Sequence, residues 1–244
     1  MCVTSSNIQP AITNNDKGDG PVKSINARAF WTLSFCVTLS AASGCATSRG
    51  IMTLEVPTPA VQAASTGKSI FIRSVTDQRQ FEDNPRNPAT PSLGFGGASQ
   101  ASADLKKRAI ARKRGAYGKA LGDILLDEGQ TVEGVMRDTI KSTLRGIGYT
   151  VLDNRDQVKS DTLMMDVMID KFWAWFTPGA FAITLRSEIE TTLAINRASG
   201  GEPKHTTIKA SGKKDAAAST TGAWAAVYER GLAEYREALA AQFK

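Results

Sequence analysis

Two long stretches in the second half of the chain alternate between hydrophobic and polar residues, which is the pattern of β-strands that bury one face. In residues 162–176 the apolar side chains fall at odd positions, and we expect them to share one face: Leu163, Met165, Val167, Ile169, Trp173 and Trp175. In residues 181–196 the odd positions are again apolar: Phe181, Ile183, Leu185, Ile189, Leu193 and Ile195. A weakly apolar third stretch, residues 205–215, predicts an edge strand. These patterns predict an antiparallel sheet with one packed face and one solvated face.

Hydrophobic residues spaced three and four apart predict two amphipathic helices. The first begins after Thr131, a residue type favoured at N-caps, and ends near Gly146 or Gly148. Its apolar positions are Val132, Val135, Met136, Ile140, Leu144 and Ile147. The second is the C-terminal segment, where one side carries Trp224, Val227, Tyr228, Leu232, Tyr235, Leu239 and Phe243. Shorter apolar runs predict strands near residues 51–56, 70–75, 124–126 and 149–152.

The predicted fold class is therefore α+β, with a mostly antiparallel sheet packed on one face by two amphipathic helices and with a disordered N-terminus. The disorder is predicted for residues 1–28, which are polar and have no hydrophobic periodicity. The chain has a formal net charge of +6 and 22% charged residues, which is ordinary for a globular domain with a moderately basic balance.

Residues 81–121 combine a stretch rich in Pro, Gly and Asn with a strongly basic stretch, and they predict a long loop insertion. The candidate site residues are its clustered cations: Lys106, Lys107, Arg108, Arg112, Lys113 and Arg114. They have two interpretations. They contact anions such as the phosphates of lipid headgroups, or they form a solvated arm whose charge only keeps it soluble.

An apolar, uncharged segment at residues 29–44 follows Lys23 and Arg28. It is shorter than the roughly 20 apolar residues that cross a bilayer. A basic n-region followed by a short apolar h-region is typical of a signal peptide. The alternative is a buried helix with incidental cysteines.

This segment ends in Ala42-Ser43-Gly44-Cys45, which resembles the lipobox of bacterial lipoproteins, although that pattern prefers Leu at the position of Ala42. The resemblance implies cleavage before Cys45 and lipidation of its thiol. Cys2 and Cys36 would leave with the signal peptide, so the mature chain would have no disulfide. The predicted organisation is a signal peptide with a long n-region at 1–44, a lipidated tether at 45–67 and a single α+β domain at 68–244.

A lipid anchor at Cys45 would hold the domain at a membrane. Each buried methylene contributes about 0.8 kcal/mol, so the several acyl chains of such lipoproteins give a stable anchor where one chain is marginal. Ala46 follows the cysteine in place of Asp, and by the sorting rule of enteric bacteria this resemblance implies the outer membrane, facing the periplasm. The membrane is then one partner, and nucleic acid is not expected as another.

The residue types give little support to catalysis. Acid-base or nucleophilic catalysis needs groups such as His with Ser or Asp, or paired carboxylates, and the only histidine, His205, lies beside a turn in a weak strand. Asp166 and Asp170 lie about 13 Å apart in an extended strand, too far to share a metal ion without other ligands. Gly67-Lys68-Ser69 resembles the end of a phosphate-binding loop, but the glycine that this motif requires five residues before Gly67 is replaced by Gln62. We predict that the protein is not an enzyme and has no catalytic residues, metal site or cofactor.

Trp173, Trp175 and Trp224 also have two interpretations. They form an aromatic groove for a ligand, or they belong to the core between sheet and helix, which is what we expect.

Residues 39–244 resemble the YajG-like family of bacterial lipoproteins in several loose patterns. These are the lipobox, a strand ending in VTDQR, a helix ending in LRGIGY, a strand with Met and Asp, a long strand with a polar face and a final amphipathic helix. The resemblance implies an α/β fold and an envelope location, and it brings no catalytic residues. Two functions remain open: an assembly module that recruits an envelope protein through its sheet edge or basic segment, and a carrier or binding module for envelope lipid or glycan.

Overall fold

The computed structural model describes residues 49–56, 63–114 and 120–243. The predicted signal peptide, the predicted N-terminal disorder and Cys45 lie outside the described residues. In the part of the chain that is described, no helix combines the length and the apolar composition that a bilayer crossing requires.

The described residues form eight strands, three α-helices and one short 3-10 helix. In chain order these are β1 (Gly50–Met52), β2 (Ser69–Asp77), α1 (Ala103–Arg108), β3 (Ala109–Arg114), β4 (Ala120–Leu126), α2 (Val132–Gly146), β5 (Thr150–Leu152), the 3-10 helix (Arg155–Gln157), β6 (Leu163–Pro178), β7 (Ile183–Arg197), β8 (Gly200–Ala216) and α3 (Thr221–Gln242). The predicted α+β class and both amphipathic helices are confirmed. The predicted loop at 81–121 differs, because α1 and β3 form within it.

β6 lies at the centre of the sheet and pairs along both edges. One edge pairs with β7, which in turn pairs with β8, and both pairings are antiparallel. The other edge pairs in parallel with β2 from Leu163 to Ile169, and then in parallel with β3 at Ala174. β5 lies beyond β2, and β4 and β1 lie beyond β3. The long strands make most of the sheet antiparallel, as predicted. Among the strands beyond the other edge of β6, only β3 and β4 pair antiparallel, while β1 pairs with β4 and β5 with β2 in parallel.

A β-bulge at Asp170 changes which side of β6 faces the helices. The pairing with β7 skips this residue, and a shift of one residue moves the following side chains to the opposite face. Ile169 before the bulge and Phe172 after it both belong to the core under the helices. Trp173 and Trp175 therefore belong to a separate cluster on the other face. The prediction that they share a face with Ile169 is wrong.

Helices α2 and α3 cover one face of the sheet and form the helix-side core. The largest fully buried side chains there are Trp224, Tyr228, Tyr235 and Phe172. Both helices begin at a threonine N-cap. The Thr131 hydroxyl accepts a hydrogen bond from the backbone N–H of Gly134, as predicted, and Thr220 caps α3 in the same way.

The opposite face is covered in part by the segment 81–101, which forms a second core. Leu93 packs there with Trp173 and Trp175, together with apolar residues of β3 and β4. The indole N–H of Trp173 donates to the carbonyl of Pro88 at 3.2 Å, and Phe81 meets the same ring edge to face. The stretch rich in Pro and Gly is thus a cover for the sheet, with its own buried residues.

The turn between β6 and β7 is closed by a hydrogen bond from Gly179 N–H to the Ala182 carbonyl, 2.8 Å long. Strand β7 begins at Ile183, so Phe181 lies in the turn and is fully exposed. The prediction that Phe181 lies on the packed face is wrong, because the alternating pattern extends beyond the strand itself.

Helix α3 approaches the sheet closely where two glycines meet. A Cβ atom on Gly212 of β8 would lie 2.1 Å from the Val227 carbonyl oxygen, and one on Gly231 of α3 would lie 2.7 Å from Ser187 Oγ. The buried Ser187 hydroxyl donates to the Val227 carbonyl at 3.0 Å. Small residues at this crossing therefore set the distance between helix and sheet.

Replacing Gly212 with alanine is expected to lower the free energy of unfolding by about 1–3 kcal/mol or more, because the methyl group would overlap backbone atoms that cannot move independently. The matched control is Gly222→Ala in the first turn of α3, where an added Cβ meets no atom within 4 Å. That change should leave stability unchanged or raise it by up to about 1 kcal/mol. Urea denaturation of both variants measures the difference, and equal effects would contradict the close crossing.

Candidate functional site

The buried Arg79 side chain joins three parts of the fold at the point where β6 changes partner from β2 to β3. Its Nε and Nη2 donate to the carboxylate of Asp77 at 2.8 and 2.7 Å. Nη1 donates to the carbonyls of Ala109 and Phe172 at 2.6 and 3.0 Å, and Nη2 also donates to that of Lys106 at 2.8 Å. All five N–H groups of the guanidinium are therefore used.

These contacts explain why Arg79, the last residue of the VTDQR stretch, can be buried. A buried charge is tolerated when a partner charge and further hydrogen bonds satisfy it, and Arg79 has both. Its guanidinium also lies 5.2 Å from the ring centre of Phe81. Arg79 holds the sheet together and leaves no donor for a ligand.

The six predicted basic residues are divided by the fold. Lys107 on α1 is exposed and Lys106 half-buried, while the Arg108 side chain donates from Nε to the Leu126 carbonyl at 2.9 Å. On β3, Lys113 is half-buried and Arg112 is only 6% exposed. The interpretation as a solvated arm is therefore wrong for β3, whose residues belong to the sheet. Contact of this segment with anionic headgroups stays a prediction.

A cluster of buried charges lies beneath the segment 81–101, on the face of the sheet opposite the helices. Arg112 and Asp123 are directly opposite each other in β3 and β4, and both are buried. Asp123 Oδ1 accepts the backbone N–H of Gly94 at 2.9 Å, and Oδ2 lies 3.5 Å from Nε of Arg49. Within the described residues, Nε and Nη1 of Arg112 have no hydrogen-bond partner. We call Arg49, Arg112, Arg114 and Asp123 the arginine cluster.

Arg114 lies two residues beyond Arg112 on the same strand. Its Nη1 donates to the Pro85 carbonyl at 2.5 Å and its Nη2 to the Ser92 hydroxyl at 2.8 Å, so it fixes the covering segment to the sheet. Burial lowers the pKa of the Arg114 guanidinium, and the like charge of Arg112 lowers it further. The cluster thus concentrates positive charge away from solvent.

Strand β8 is an edge strand, as predicted. Among the described strands it pairs only with β7. Arg230 of α3 donates to the Lys213 carbonyl at 2.5 Å, so its side chain already uses this backbone acceptor of β8. Upstream, His205, Thr207 and Lys209 are exposed. His205 is therefore a surface residue, and the upstream part of the strand is the accessible part.

A groove of about 510 Å³ lies where α3 ends. Its apolar lining includes Tyr149, Leu163, Leu193, Ile195 and Phe243, and its charged lining is Lys68, Arg197, Lys204 and Glu202. Tyr149 and Phe243 meet edge to face with ring centres 5.5 Å apart. The groove therefore combines an apolar floor with an excess of positive charge at its rim.

Two aspartates of β6 and two tyrosines of α3 are engaged in structural contacts. Asp166 forms an ion pair with Arg73 and accepts the Ser74 hydroxyl at 2.8 Å, while Asp170 accepts the Thr192 hydroxyl at 2.8 Å. Burial raises the pKa of the Tyr228 and Tyr235 hydroxyls, so both phenols stay protonated as core hydrogen-bond donors or acceptors. No group of three or more metal-ligating side chains occurs among the described residues.

The structure separates the three tryptophans that the sequence grouped together. Trp224 lies in the helix-side core and the other two lie in the second core, across the sheet. They form no shared groove. Conversely, sequence reasoning missed Arg49 and Asp123. The available signal for Asp123 was a carboxylate inside the apolar run of β4, and Arg49 lay in a segment interpreted as tether.

Comparison with known proteins finds similar solved structures but no matching family. No protein-family model and no curated protein matches the chain. The crystal structure of protein XCC0632 from Xanthomonas campestris, of the DUF330 family, is 11% identical with a TM-score of 0.38, and the match covers 80% of this chain and 94% of that chain. A putative neuraminyllactose-binding hemagglutinin homolog from Helicobacter pylori is 11% identical with a TM-score of 0.27, covering 79% and 88%. At these values the similarities carry no argument about family or function.

Proposed function

We propose that the chain is a lipid-anchored protein of the bacterial cell envelope that acts as a non-catalytic binding or assembly module on the periplasmic side of the outer membrane. The signal-peptide pattern and the lipobox-like sequence before Cys45 support this location. The structural observation that carries the binding function is the edge of β8, a strand that spans Gly200–Ala216 and that, among the described strands, pairs on one side only.

An unpaired strand edge offers a row of backbone N–H and C=O groups to another extended segment, which is the basis of β-strand addition. On this edge the side chains also select the partner. The strand is cationic because it carries four lysines, Lys204, Lys209, Lys213 and Lys214. One of them, Lys209, forms an ion pair with Glu190 at 2.9 Å. Like charges disfavour pairing with a second copy of β8, and they favour an acidic partner segment.

A second candidate function rests on the groove beside the C-terminal end of α3. Its apolar residues match the acyl or ring portion of an amphiphile, and its three cations match an anionic head. This supports the alternative of a binding module for envelope lipid or glycan. The groove is open to solvent, so a ligand there would remain partly exposed.

A photo-crosslinking amino acid at Thr207 should test the edge. In cells that express the full chain, we expect it to crosslink to one envelope protein, because Thr207 is exposed on the accessible part of β8. The matched control carries the same crosslinker at Asp138, an exposed position on α2, and should not give that product. Reversing the four lysines to glutamate should remove the Thr207 product. Equal products from both positions would contradict a role for the edge, and products that contain only lipid would favour the alternative.

A further inference from the structure

The arginine cluster contains more positive charge than its own carboxylate neutralises. The cluster contains three guanidinium groups, those of Arg49, Arg112 and Arg114, and one carboxylate, that of Asp123, which leaves two positive charges in excess. Two of the three cations lie on the same strand and act electrostatically on each other. Such a cluster favours the binding of an anion.

Arg112 is the cation of the cluster whose contacts are incomplete. It is 6% exposed, and its Nε and Nη1 lack hydrogen-bond partners among the residues that the structure describes. Oδ2 of Asp123 is also buried without a hydrogen-bond partner among these residues. A buried charge without partners is costly, so an ion, a water or a ligand group is expected at such a position. By contrast, the equally buried Arg79 uses all five of its N–H groups on protein acceptors.

The cluster can be reached from one side. The Arg49 side chain is 37% exposed, while the Asp123 side chain beneath it is fully buried. Arg49 lies 4.9 Å from the ring centre of Phe95, and Phe95 is itself 60% exposed. Arg49 and Phe95 therefore form the solvent side of the cluster, and Arg112 lies beneath the covering segment.

We propose that the arginine cluster is a binding site for a phosphate group, with Arg112 as its principal donor and Arg49 and Arg114 beside it. Guanidinium groups suit phosphate because their N–H groups match its oxygens. A free phosphate dianion neutralises both excess charges, whereas a carboxylate or a phosphodiester headgroup neutralises one of them. The phosphate group belongs either to a small free anion or to a lipid headgroup. This site lies on the β3 and β4 strands and does not depend on the proposed role of the β8 edge.

Thermal melting of the purified full chain in phosphate-free buffer, with and without added inorganic phosphate, tests the site. We expect phosphate at about 100 times its Kd to raise the Tm of the wild type by about 5–10 °C. Arg112→Met removes the unpaired charge and retains an apolar side chain. This variant should melt at the same temperature as the wild type or higher without phosphate, and phosphate should not raise its Tm.

Two further variants make the result specific. Arg112→Lys keeps the charge but loses the planar set of donors, so its affinity for phosphate should fall at least about tenfold. Arg155→Met removes the same charge from an exposed position in the 3-10 helix and should respond to phosphate like the wild type. No rise in the wild type, or an equal rise in Arg112→Met, would overturn the proposal.

Vesicles distinguish the two sources of phosphate. If the ligand is a lipid headgroup, phosphatidylglycerol vesicles should bind the wild type and bind Arg112→Met at least tenfold less. If the ligand is a small free anion, both proteins should bind vesicles equally, while inorganic phosphate still stabilises the wild type alone. Both results support the site, and the melting experiment remains the one that can overturn it.

Discussion

Replacing Arg79 with methionine should lower the free energy of unfolding by about 3–5 kcal/mol. The substitution leaves the Asp77 carboxylate without its cation and removes the donors to the carbonyls of Ala109, Phe172 and Lys106. These acceptors lie where β6 changes partner, so the loss should weaken the contact between the β2 and β3 parts of the sheet. Urea denaturation followed by tryptophan fluorescence measures the change.

Arg73→Met is the matched control, because it makes the same chemical change on β2, six residues before Arg79. Arg73 pairs with Asp166, but the two side chains are 38% and 31% exposed. Surface ion pairs contribute roughly 0–1 kcal/mol, so this variant should lose little stability. If both variants lose the same amount, Arg79 does not have the structural role that its contacts indicate.

Replacing Cys45 with serine should abolish lipidation and release the chain from the membrane fraction. A hydroxyl does not take the place of the thiol in the modification that the lipobox resemblance implies, and without acyl chains the anchor loses about 0.8 kcal/mol for each buried methylene. Incorporation of labelled palmitate and membrane fractionation measure the two effects. We expect an unprocessed precursor without label.

Cys36→Ser is the control for this experiment, since Cys36 lies within the predicted signal peptide. It should be processed, labelled and fractionated like the wild type. A Cys45→Ser protein that still carries label and stays in the membrane fraction would refute the lipoprotein proposal.

Local patterns were sufficient to predict the two long helices and most strands. The spacing of Val132, Val135 and Met136 and the cap at Thr131 located α2 correctly, because each of these signals acts within one or two turns. The edge position of β8 also followed from its weak apolar pattern. Such features depend only on residues that are close together in the chain, so one sequence is enough to predict them.

The faces of β6 could not be predicted in the same way. A strict period of two places Trp173 with Ile169, whereas the bulge at Asp170 places them on opposite faces. The bulge occurs where the other edge of β6 changes from β2 to β3, and that change of partner is a property of the tertiary fold. No local residue pattern predicts this change of partner.

The basic segment was misjudged for a related reason. Charge density suggested a solvated loop, but Ala109, Ile110 and Ala111 are fully buried and draw Arg112 into the sheet. The partners that accommodate this segment, Asp123 and Arg79, come from other elements. The arginine cluster is therefore visible only after β3 and β4 have been placed side by side.

Amide hydrogen exchange of β8 tests the central claim, that the accessible edge binds an envelope partner, most directly. The exchange rates of the full chain in native membranes are compared with those of the purified chain. If a partner strand pairs with this edge, exchange within Gly200–Ala216 should slow by at least about tenfold in membranes, while α2 remains unchanged. Equal exchange of β8 in both samples would contradict the proposal.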